Sequence, residues 1–313
     1  MPMPDISNMH EDYRNIRSFN ISFNRVMIWL LNTFFAVERF LHCRKPNPAL
    51  TTERRVLTSA DGDRFSAIVM KPATAIGTLP VLLYYHGGAF ALSWASLHQL
   101  ACERYALEAQ CMVILVDYRL GPRKPFPAGF QDCYAAYQWV LAEAQALGAD
   151  ASRIAVMGDS AGGALSAGVA QRALDEGGSI CGQALIYPVL DSDCKTLSAT
   201  QFDTTPVFNA ESNRRMWRMY LKNVPAGLDP EYASPGHRKE LAGLPQTYLE
   251  TAEFDPLRDE GLEYAARLTS AGVNVDLNAT SGTVHGYELA ANNPSVEKSM
   301  RRRIEALRDF FSL

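Results

Sequence analysis

A serine between two glycines, in the run Gly158-Asp-Ser160-Ala-Gly162, has the spacing expected of a nucleophile at a tight turn. Residues 154–157 before it are apolar and partly β-branched, which predicts a buried strand, and the small residues after it predict a helix packed on a sheet. Such a turn strains the serine backbone and requires small neighbours. It also sets the hydroxyl at a helix N-terminus, where developing negative charge is favoured. An ordinary structural turn is the alternative.

Two further residues could activate this serine. A serine hydroxyl is a poor nucleophile at neutral pH, so a histidine must accept its proton and return it to the leaving group. His285 is the candidate base, and Asp255 is the candidate acid that would fix the imidazole tautomer. Each residue also has a structural interpretation. Asp255 precedes Pro256 and an apolar-periodic run, so it fits a helix N-cap, and His285 alone fits a loop or core position.

Backbone donors for a tetrahedral oxyanion are expected near two glycines. Each preorganised donor is typically worth about 3 kcal/mol, and glycine N–H groups are sterically open. Gly87 and Gly88 follow a predicted strand, and Ala161 follows the serine directly. We therefore expect these three N–H groups to form the oxyanion hole, with a flexible turn as the alternative for the glycine pair.

The elements that must position these residues alternate between strands and helices. A hairpin is predicted around Asp61-Gly62 from the runs 55–58 and 65–70. The later short apolar runs predict buried strands of a mostly parallel sheet covered on both faces, at 81–86, 112–117, 154–157, 183–188, 247–251 and 273–277. Ligands of such sheets bind beyond the carboxyl ends of the strands, where the candidate residues follow.

Two regions interrupt this rhythm. Residues 18–43 are strongly lipophilic, with Val26, Trp29, Leu30, Val37 and Leu41 at helical spacing. A helix covering a pocket is the main interpretation, and a membrane-surface helix and a true span are alternatives. Residues 191–240 include a predicted helix at 211–221 and resemble a functional insertion such as a lid.

The chain is expected to form one folded unit. We divide it into N-terminal cap helices at 1–50, a core at 51–190, a cap insertion at 191–240 and the rest of the core at 241–313. A formal net charge of −4 gives no indication of nucleic-acid binding. Six scattered cysteines predict reduced thiols and a cytoplasmic location, and six histidines without ligand spacing predict no metal. Acidic residues near the start argue against a signal peptide.

With these motifs the chain resembles the hormone-sensitive-lipase-like (type IV) esterases. The matching segments are His86-Gly-Gly-Ala-Phe90, Asp117-Tyr-Arg-Leu120, Pro125-Phe-Pro-Ala128, Gly158-Asp-Ser-Ala-Gly-Gly163, Asp255-Pro-Leu-Arg-Asp-Glu-Gly261 and His285-Gly-Tyr287. The resemblance implies an α/β-hydrolase fold with a mostly parallel eight-stranded sheet, helices on both faces and a helical cap. It also implies that Ser160, Asp255 and His285 form a triad. Ala89 replaces a usual glycine, and Tyr287 replaces a usual phenylalanine, which is expected to change pocket polarity slightly.

The same resemblance implies a serine carboxylesterase acting on short to medium acyl esters without a cofactor. Aromatic residues that could line its pocket are Trp94, Phe202, Phe208, Trp217 and the pair Phe34-Phe35, although ordinary packing explains them equally well. Hydrolysis of amides or deacetylation of a small metabolite with the same triad is an alternative, and a binding-only role is a weaker one. The expected partner is a small-molecule ester. A homodimer and weak membrane-surface contact through residues 18–43 stay open.

Overall fold

One eight-stranded sheet forms the centre of the computed structural model, which describes residues 5–224, except 17, 19 and 44, and residues 232–312. In chain order the strands are β1 Leu50–Thr58, β2 Arg64–Pro72, β3 Leu79–Tyr85, β4 Met112–Asp117, β5 Ala149–Asp159, β6 Gly182–Ile186, β7 Thr247–Phe254 and β8 Val275–Val284. They lie side by side in the order β1-β2-β4-β3-β5-β6-β7-β8.

Strands β3 to β8 run parallel, whereas β1 and β2 form the predicted antiparallel hairpin, and β2 is also antiparallel to β4. All seven residues of β3 are buried, as the continuous apolar run predicts for a central strand covered on both faces. The carboxyl ends of the parallel strands therefore meet at one edge of the sheet. The predicted mostly parallel α/β sheet is confirmed.

Helices cover both faces of this sheet. The α-helices of the described residues are α1 Glu11–Arg14, α2 Arg25–His42, α3 Ser96–Glu108, α4 Ala128–Leu147, α5 Ala161–Asp175, α6 Leu197–Gln201, α7 Ala210–Tyr220, α8 Arg258–Ser270 and α9 Pro294–Phe310. Apolar residues of α4, α5 and α8 pack on one face, and those of α3 and α9 pack on the other. This sandwich fixes the strand ends that carry the candidate residues.

The N-terminal segment contacts the insertion after β6. Asn24 caps α2, because its side chain accepts a hydrogen bond from the N–H of Met27 at 2.8 Å. The N–H of Ile21 donates to Oγ of Ser212, the residue after Glu211 in α7, at 3.1 Å. Parts of both predicted cap regions, residues 1–4, 17, 19, 44 and 225–231, lie outside the described residues.

Within the described part of the chain, no helix combines the length and apolarity needed to cross a bilayer. All six cysteines are free thiols, as expected. The cytoplasmic location inferred from them stays a prediction.

Candidate active site

Ser160 lies at the turn between β5, which ends at Asp159, and α5, which begins at Ala161. Its backbone has φ 54° and ψ −118°, a conformation that non-glycine residues adopt at a cost of about 1–3 kcal/mol. A Cβ added to Gly162 would lie 1.8 Å from the carbonyl oxygen of Tyr85, and one added to Gly158 would lie 2.3 Å from that of Gly162. The glycines thus let strand and helix approach, and the strained serine turn predicted from the sequence is confirmed.

Three side chains form a hydrogen-bonded series at the edge of the sheet. Nε2 of His285 lies 2.9 Å from Oγ of Ser160, and Nδ1 of His285 lies 2.7 Å from Oδ2 of Asp255. All three residues are buried, Asp255 completely. An ionised Asp255 keeps the hydrogen on Nδ1, so Nε2 is left with a lone pair facing the serine hydroxyl.

Asp255 also bonds to the backbone just before α8, although the N-cap of that helix is Leu257 and not Asp255 as its sequence position suggested. Its Oδ1 accepts a hydrogen bond from the N–H of Leu257 at 2.9 Å, just before α8 begins at Arg258. The two carboxylate oxygens thus serve different groups, one at the helix entry and one at the imidazole. A bond to the local backbone and a bond to the imidazole therefore do not exclude each other at Asp255.

The loop after β3 corrects one expectation about oxyanion donors. The N–H of Gly87 donates to Oδ1 of Asp159 at 3.0 Å, so it is already used within the protein. The N–H groups of Gly88, Ala89 and Ala161 donate to no other group of the described residues. Gly88 has φ +112° and Ala89 has φ 54°, so the alanine occupies a conformation in which its methyl group costs roughly 1 kcal/mol.

Asp159, which the sequence analysis passed over, connects three parts of this site. Besides the N–H of Gly87, its carboxylate accepts the hydroxyl of Tyr84 at 2.7 Å, and Nε2 of His98 lies at 3.5 Å. The N–H of Ala95 donates to Nδ1 of His98, which leaves Nε2 to donate its hydrogen toward the carboxylate. Burial alone would raise the pKa of Asp159, but the charge and hydrogen bond of His98 and the Tyr84 hydroxyl outweigh it and lower that pKa.

A cleft of about 190 Å³ opens onto Ser160 and His285, with mostly apolar walls. Ile21 and Phe35 come to it from the N-terminal segment, and Val207 comes from the insertion. The polar residues on its wall besides the reactive ones include His98, Tyr187 and Glu288. An apolar ligand with one polar centre at the serine fits this lining.

Two of the predicted pocket aromatics lie on this wall. Phe208 lines the cleft, and its ring centroid lies 4.9 Å from that of His285. Phe35 also lines it, whereas its neighbour Phe34 is 62% exposed on the outside of α2.

The other three predicted aromatics are not among the residues of the wall. The guanidinium of Arg39 stacks over the ring of Trp94 at 4.4 Å. Phe202 packs against Phe254, with ring centroids 6.4 Å apart, and Trp217 is buried in the main core cluster. These three side chains pack against other groups of the protein, so the prediction that they line the substrate pocket is wrong.

Tyr287 is likewise turned away from the cleft. It is fully buried, and its hydroxyl donates to Oε1 of Glu250 at 2.6 Å. Glu250 is paired with Arg303, which also contacts Glu288. Burial raises the pKa of Glu250, but the charge of Arg303 outweighs it, so the net pKa is lowered. The extra hydroxyl therefore completes a buried polar network under the site and does not change pocket polarity as expected.

One group of side chains in the described part of the chain is close enough together to bind a metal ion. The potential ligand atoms of Asp191, Asp193 and His237 lie within 4.8 Å of one another. Asp193 and His237 are exposed, and Nε2 of His237 is 2.7 Å from Oδ1 of Asp191, so a hydrogen bond between these two side chains accounts for their proximity. None of the three lines the cleft at Ser160.

Comparison with known proteins agrees with this geometry. A family model described as alpha/beta hydrolase fold matches residues 82–289. Carboxylesterase NlhH of Mycobacterium tuberculosis is 39% identical over 277 residues, which cover 84% of this chain and 85% of that protein. Ethyl acetate hydrolase of Pseudomonas putida is 34% identical over 236 residues, 74% of each chain. The crystal structure of esterase LipW from Mycobacterium marinum superposes with a TM-score of 0.89 at 32% identity and covers 99% of both chains. With its serine turn and the mostly parallel eight-stranded sheet behind it, the chain thus belongs to the hormone-sensitive-lipase-like (type IV) carboxylesterases of the α/β-hydrolase fold and is a carboxylic ester hydrolase.

Proposed function

We propose that the protein hydrolyses short to medium acyl esters, with Ser160 as nucleophile and an acyl-enzyme as intermediate. The observation that carries this proposal is the buried hydrogen-bonded series from Ser160 through His285 to Asp255, whose first two members line an apolar cleft. Each member has the type and the contact that acyl transfer requires.

The first half of the reaction forms the acyl-enzyme. Oγ of Ser160 attacks the ester carbonyl carbon while its proton passes to Nε2 of His285, and Asp255 stabilises the imidazolium that results. The carbonyl oxygen becomes an oxyanion. It would accept hydrogen bonds from backbone N–H groups of Gly88, Ala89 and Ala161, which the protein leaves without another acceptor among its described residues.

The second half restores the enzyme. The tetrahedral intermediate collapses, the bond to the alcohol oxygen breaks, and His285 returns the proton to that alcohol. A water molecule then attacks the acyl carbon as His285 accepts its proton, and collapse of the second intermediate releases the acid and reprotonates Ser160. Water is the only second substrate, so the reaction requires no cofactor.

The apolar lining of the cleft and the name of one relative support short to medium acyl groups. The apolar walls bury carbon chains but offer few polar partners for a large polar substrate. One relative is named for ethyl acetate, the ester of a two-carbon acid. We therefore expect activity to peak at short or medium acyl length.

A panel of p-nitrophenyl esters of increasing acyl length, with matching anilides, tests this proposal. Ser160→Ala should lose at least about a thousandfold in kcat, as removal of a triad member usually does. The matched control is Ser166→Ala, in the second turn of α5, where the hydroxyl only donates to the carbonyl oxygen of Gly162. That variant should stay within a few-fold of wild type. Comparable loss in both variants, or faster cleavage of anilides than of esters, would contradict the proposal.

A further inference from the structure

The outward face of α2 is almost entirely apolar. Large apolar side chains that are each 41–68% exposed cover it, namely Val26, Met27, Trp29, Leu30, Phe34, Val37, Phe40 and Leu41. At 3.6 residues per turn these positions fall within an arc of about 160°. Thr33 lies in the same arc, and its hydroxyl donates to the carbonyl oxygen of Trp29 at 2.8 Å. The helix, about 27 Å long for its 18 residues, thus offers a continuous apolar surface.

Two polar side chains of α2, Asn32 and Glu38, lie outside this face and bond to the rest of the protein. Asn32 donates to the carbonyl oxygen of Ala91 at 3.0 Å and accepts from the N–H of Ser93 at 2.8 Å. The carboxylate of Glu38 accepts from the N–H of Ser96 at 2.9 Å. A surface helix of a globular protein normally turns its apolar side inward, so this orientation is inverted. The lipophilic stripe seen in the sequence therefore faces outward and does not form the main packing surface of α2.

Cationic side chains flank the first turn of the helix. Arg25 and Arg123 line one surface cleft together with Trp29, and both also line a second cleft with Arg64. In the described residues, none of these three arginines forms an ion pair. The nearby Lys124 is paired with Asp63 at 2.6 Å. An apolar helix face next to unpaired arginines is typical of helices that lie in the plane of an anionic membrane surface.

We propose that the outward face of α2 docks on the surface of an anionic lipid bilayer, with the helix lying along the interface and the three arginines contacting lipid phosphates. A second copy of the chain complements this surface less well. The only acid within α2 is Glu38, which is already bonded to Ser96, and the chain on either side of the apolar face carries Arg25 and Lys45. Apposed copies would bring together like charges, whereas an anionic lipid surface neutralises all of them.

Docking in this orientation would bring the active-site cleft close to the lipid. Ile21 and Phe35, which line the cleft, belong to the same segment as the outward face. The docking surface rests on exposure and charge alone, and it is independent of the triad chemistry.

Vesicle flotation measures the docking directly. The full chain is mixed with phosphatidylcholine vesicles with and without phosphatidylglycerol, and the bound fraction is determined at low and high salt. We expect at least tenfold stronger partitioning onto the anionic vesicles and a loss of that preference at high salt. Retention of the protein in the aqueous fraction with anionic vesicles would overturn the proposal.

Trp29 provides a reporter of contact. It is 63% exposed, whereas Trp94 and Trp217 are 8% and 3% exposed and Trp139 is partly buried against the main core cluster. Anionic vesicles should shift the tryptophan emission to shorter wavelength, and Trp29→Phe should abolish most of that shift while the protein still floats. A shift that persists in Trp29→Phe would place the contact elsewhere and refute this surface.

Paired variants separate the apolar and charged contributions. The triple variant Trp29→Gln, Phe34→Gln, Leu41→Gln should lower partitioning by at least about a hundredfold. Its matched control replaces three exposed apolar residues on other parts of the surface, Val56, Ile76 and Leu141, by Gln, and should bind within about twofold of wild type. Arg25→Gln and Arg123→Gln should each weaken binding roughly fivefold.

Two measurements identify variants that fail to fold: the rate of hydrolysis of a soluble p-nitrophenyl ester and the unfolding temperature. Both should be unchanged within error for the triple variant. Sedimentation velocity tests the second-copy alternative. The membrane proposal would be wrong if the wild type is a dimer, the triple variant is a monomer and neither binds vesicles. The outward face of α2 would then be an interface with a second chain.

Discussion

Asp255 makes two hydrogen bonds at once, and the substitution Asp255→Asn separates them. The asparagine oxygen can keep the bond from the N–H of Leu257, which is 2.9 Å long in the wild type. The amide nitrogen then faces Nδ1 of His285, 2.7 Å away in the wild type, and donates to it. The ring hydrogen must move to Nε2, which lies 2.9 Å from Oγ of Ser160 and can no longer accept its proton.

The magnitudes follow from those contacts. A wrong imidazole tautomer lowers kcat about 10⁴-fold, equivalent to about 5.5 kcal/mol of transition-state stabilisation. The free energy of unfolding should change by only about 1 kcal/mol, since both hydrogen bonds are replaced. Asp255→Ala removes both and leaves the buried N–H of Leu257 without an acceptor, which costs about 1–3 kcal/mol. The alanine variant should therefore unfold roughly 2–6 °C lower as well as being inactive.

The assay combines p-nitrophenyl ester kinetics with calorimetry on the wild type and both variants. If Asp255→Asn keeps a near-wild-type unfolding temperature but loses turnover, the main role of the carboxylate is to orient the histidine. If that variant keeps more than about 1% of wild-type kcat, the tautomer argument fails, and Asp255 acts only at the entry of α8.

Three further outcomes are expected. Asp159→Asn turns an amide toward Nε2 of His98 and loosens the loop held through the N–H of Gly87. The kcat for ester hydrolysis should therefore fall about tenfold with little change in KM, and an unchanged kcat would refute this positioning role. Burial, with a smaller effect of His98, lowers the pKa of His86 to about 3, so the unfolded chain binds a proton that the folded chain does not between pH 6.5 and about 3. Stability should then decline by about 1.4 kcal/mol per pH unit as the pH falls through that window, and His86→Phe should flatten the decline in urea unfolding. Ala89→Gly relieves about 1 kcal/mol of backbone strain at φ 54°. It also raises the conformational entropy of the unfolded chain and deletes a buried methyl group, and both effects destabilise the fold. Its free energy of unfolding should therefore shift by less than about 1 kcal/mol in chemical denaturation, and a larger gain would show that the wild-type loop is more strained than its φ implies.

The fold could be predicted wherever apolar runs coincide with strands, and less well where pairing extends them. β3 and β4 match the predicted runs closely because every residue of β3, and all but the last of β4, are buried. β8 was predicted at 273–277 but spans Val275–Val284, and its exposed and polar residues give no strand pattern. It forms because β7 supplies the backbone partners.

The site could be predicted as far as residue type and position after a strand allow. Ser160, Asp255 and His285 were found because their chemistry and strand ends coincide. The direction of a backbone N–H depends on long-range contacts, so the engagement of Gly87 by Asp159 was not visible. The positions of the aromatics Trp94, Phe202 and Trp217 were missed for a related reason, since bulk and hydrophobicity suit a packed core and a pocket wall equally.

The division of labour along the chain has an evolutionary consequence. Ile21, Phe35 and Val207 shape the cleft, but they lie in segments that contribute none of the reacting groups. Substitutions there can enlarge, narrow or polarise the space offered to an ester while the strand ends that hold Ser160 and His285 remain fixed. Related proteins can therefore differ in substrate range while they keep the same catalytic mechanism. Engineering for a new substrate would begin with these segments.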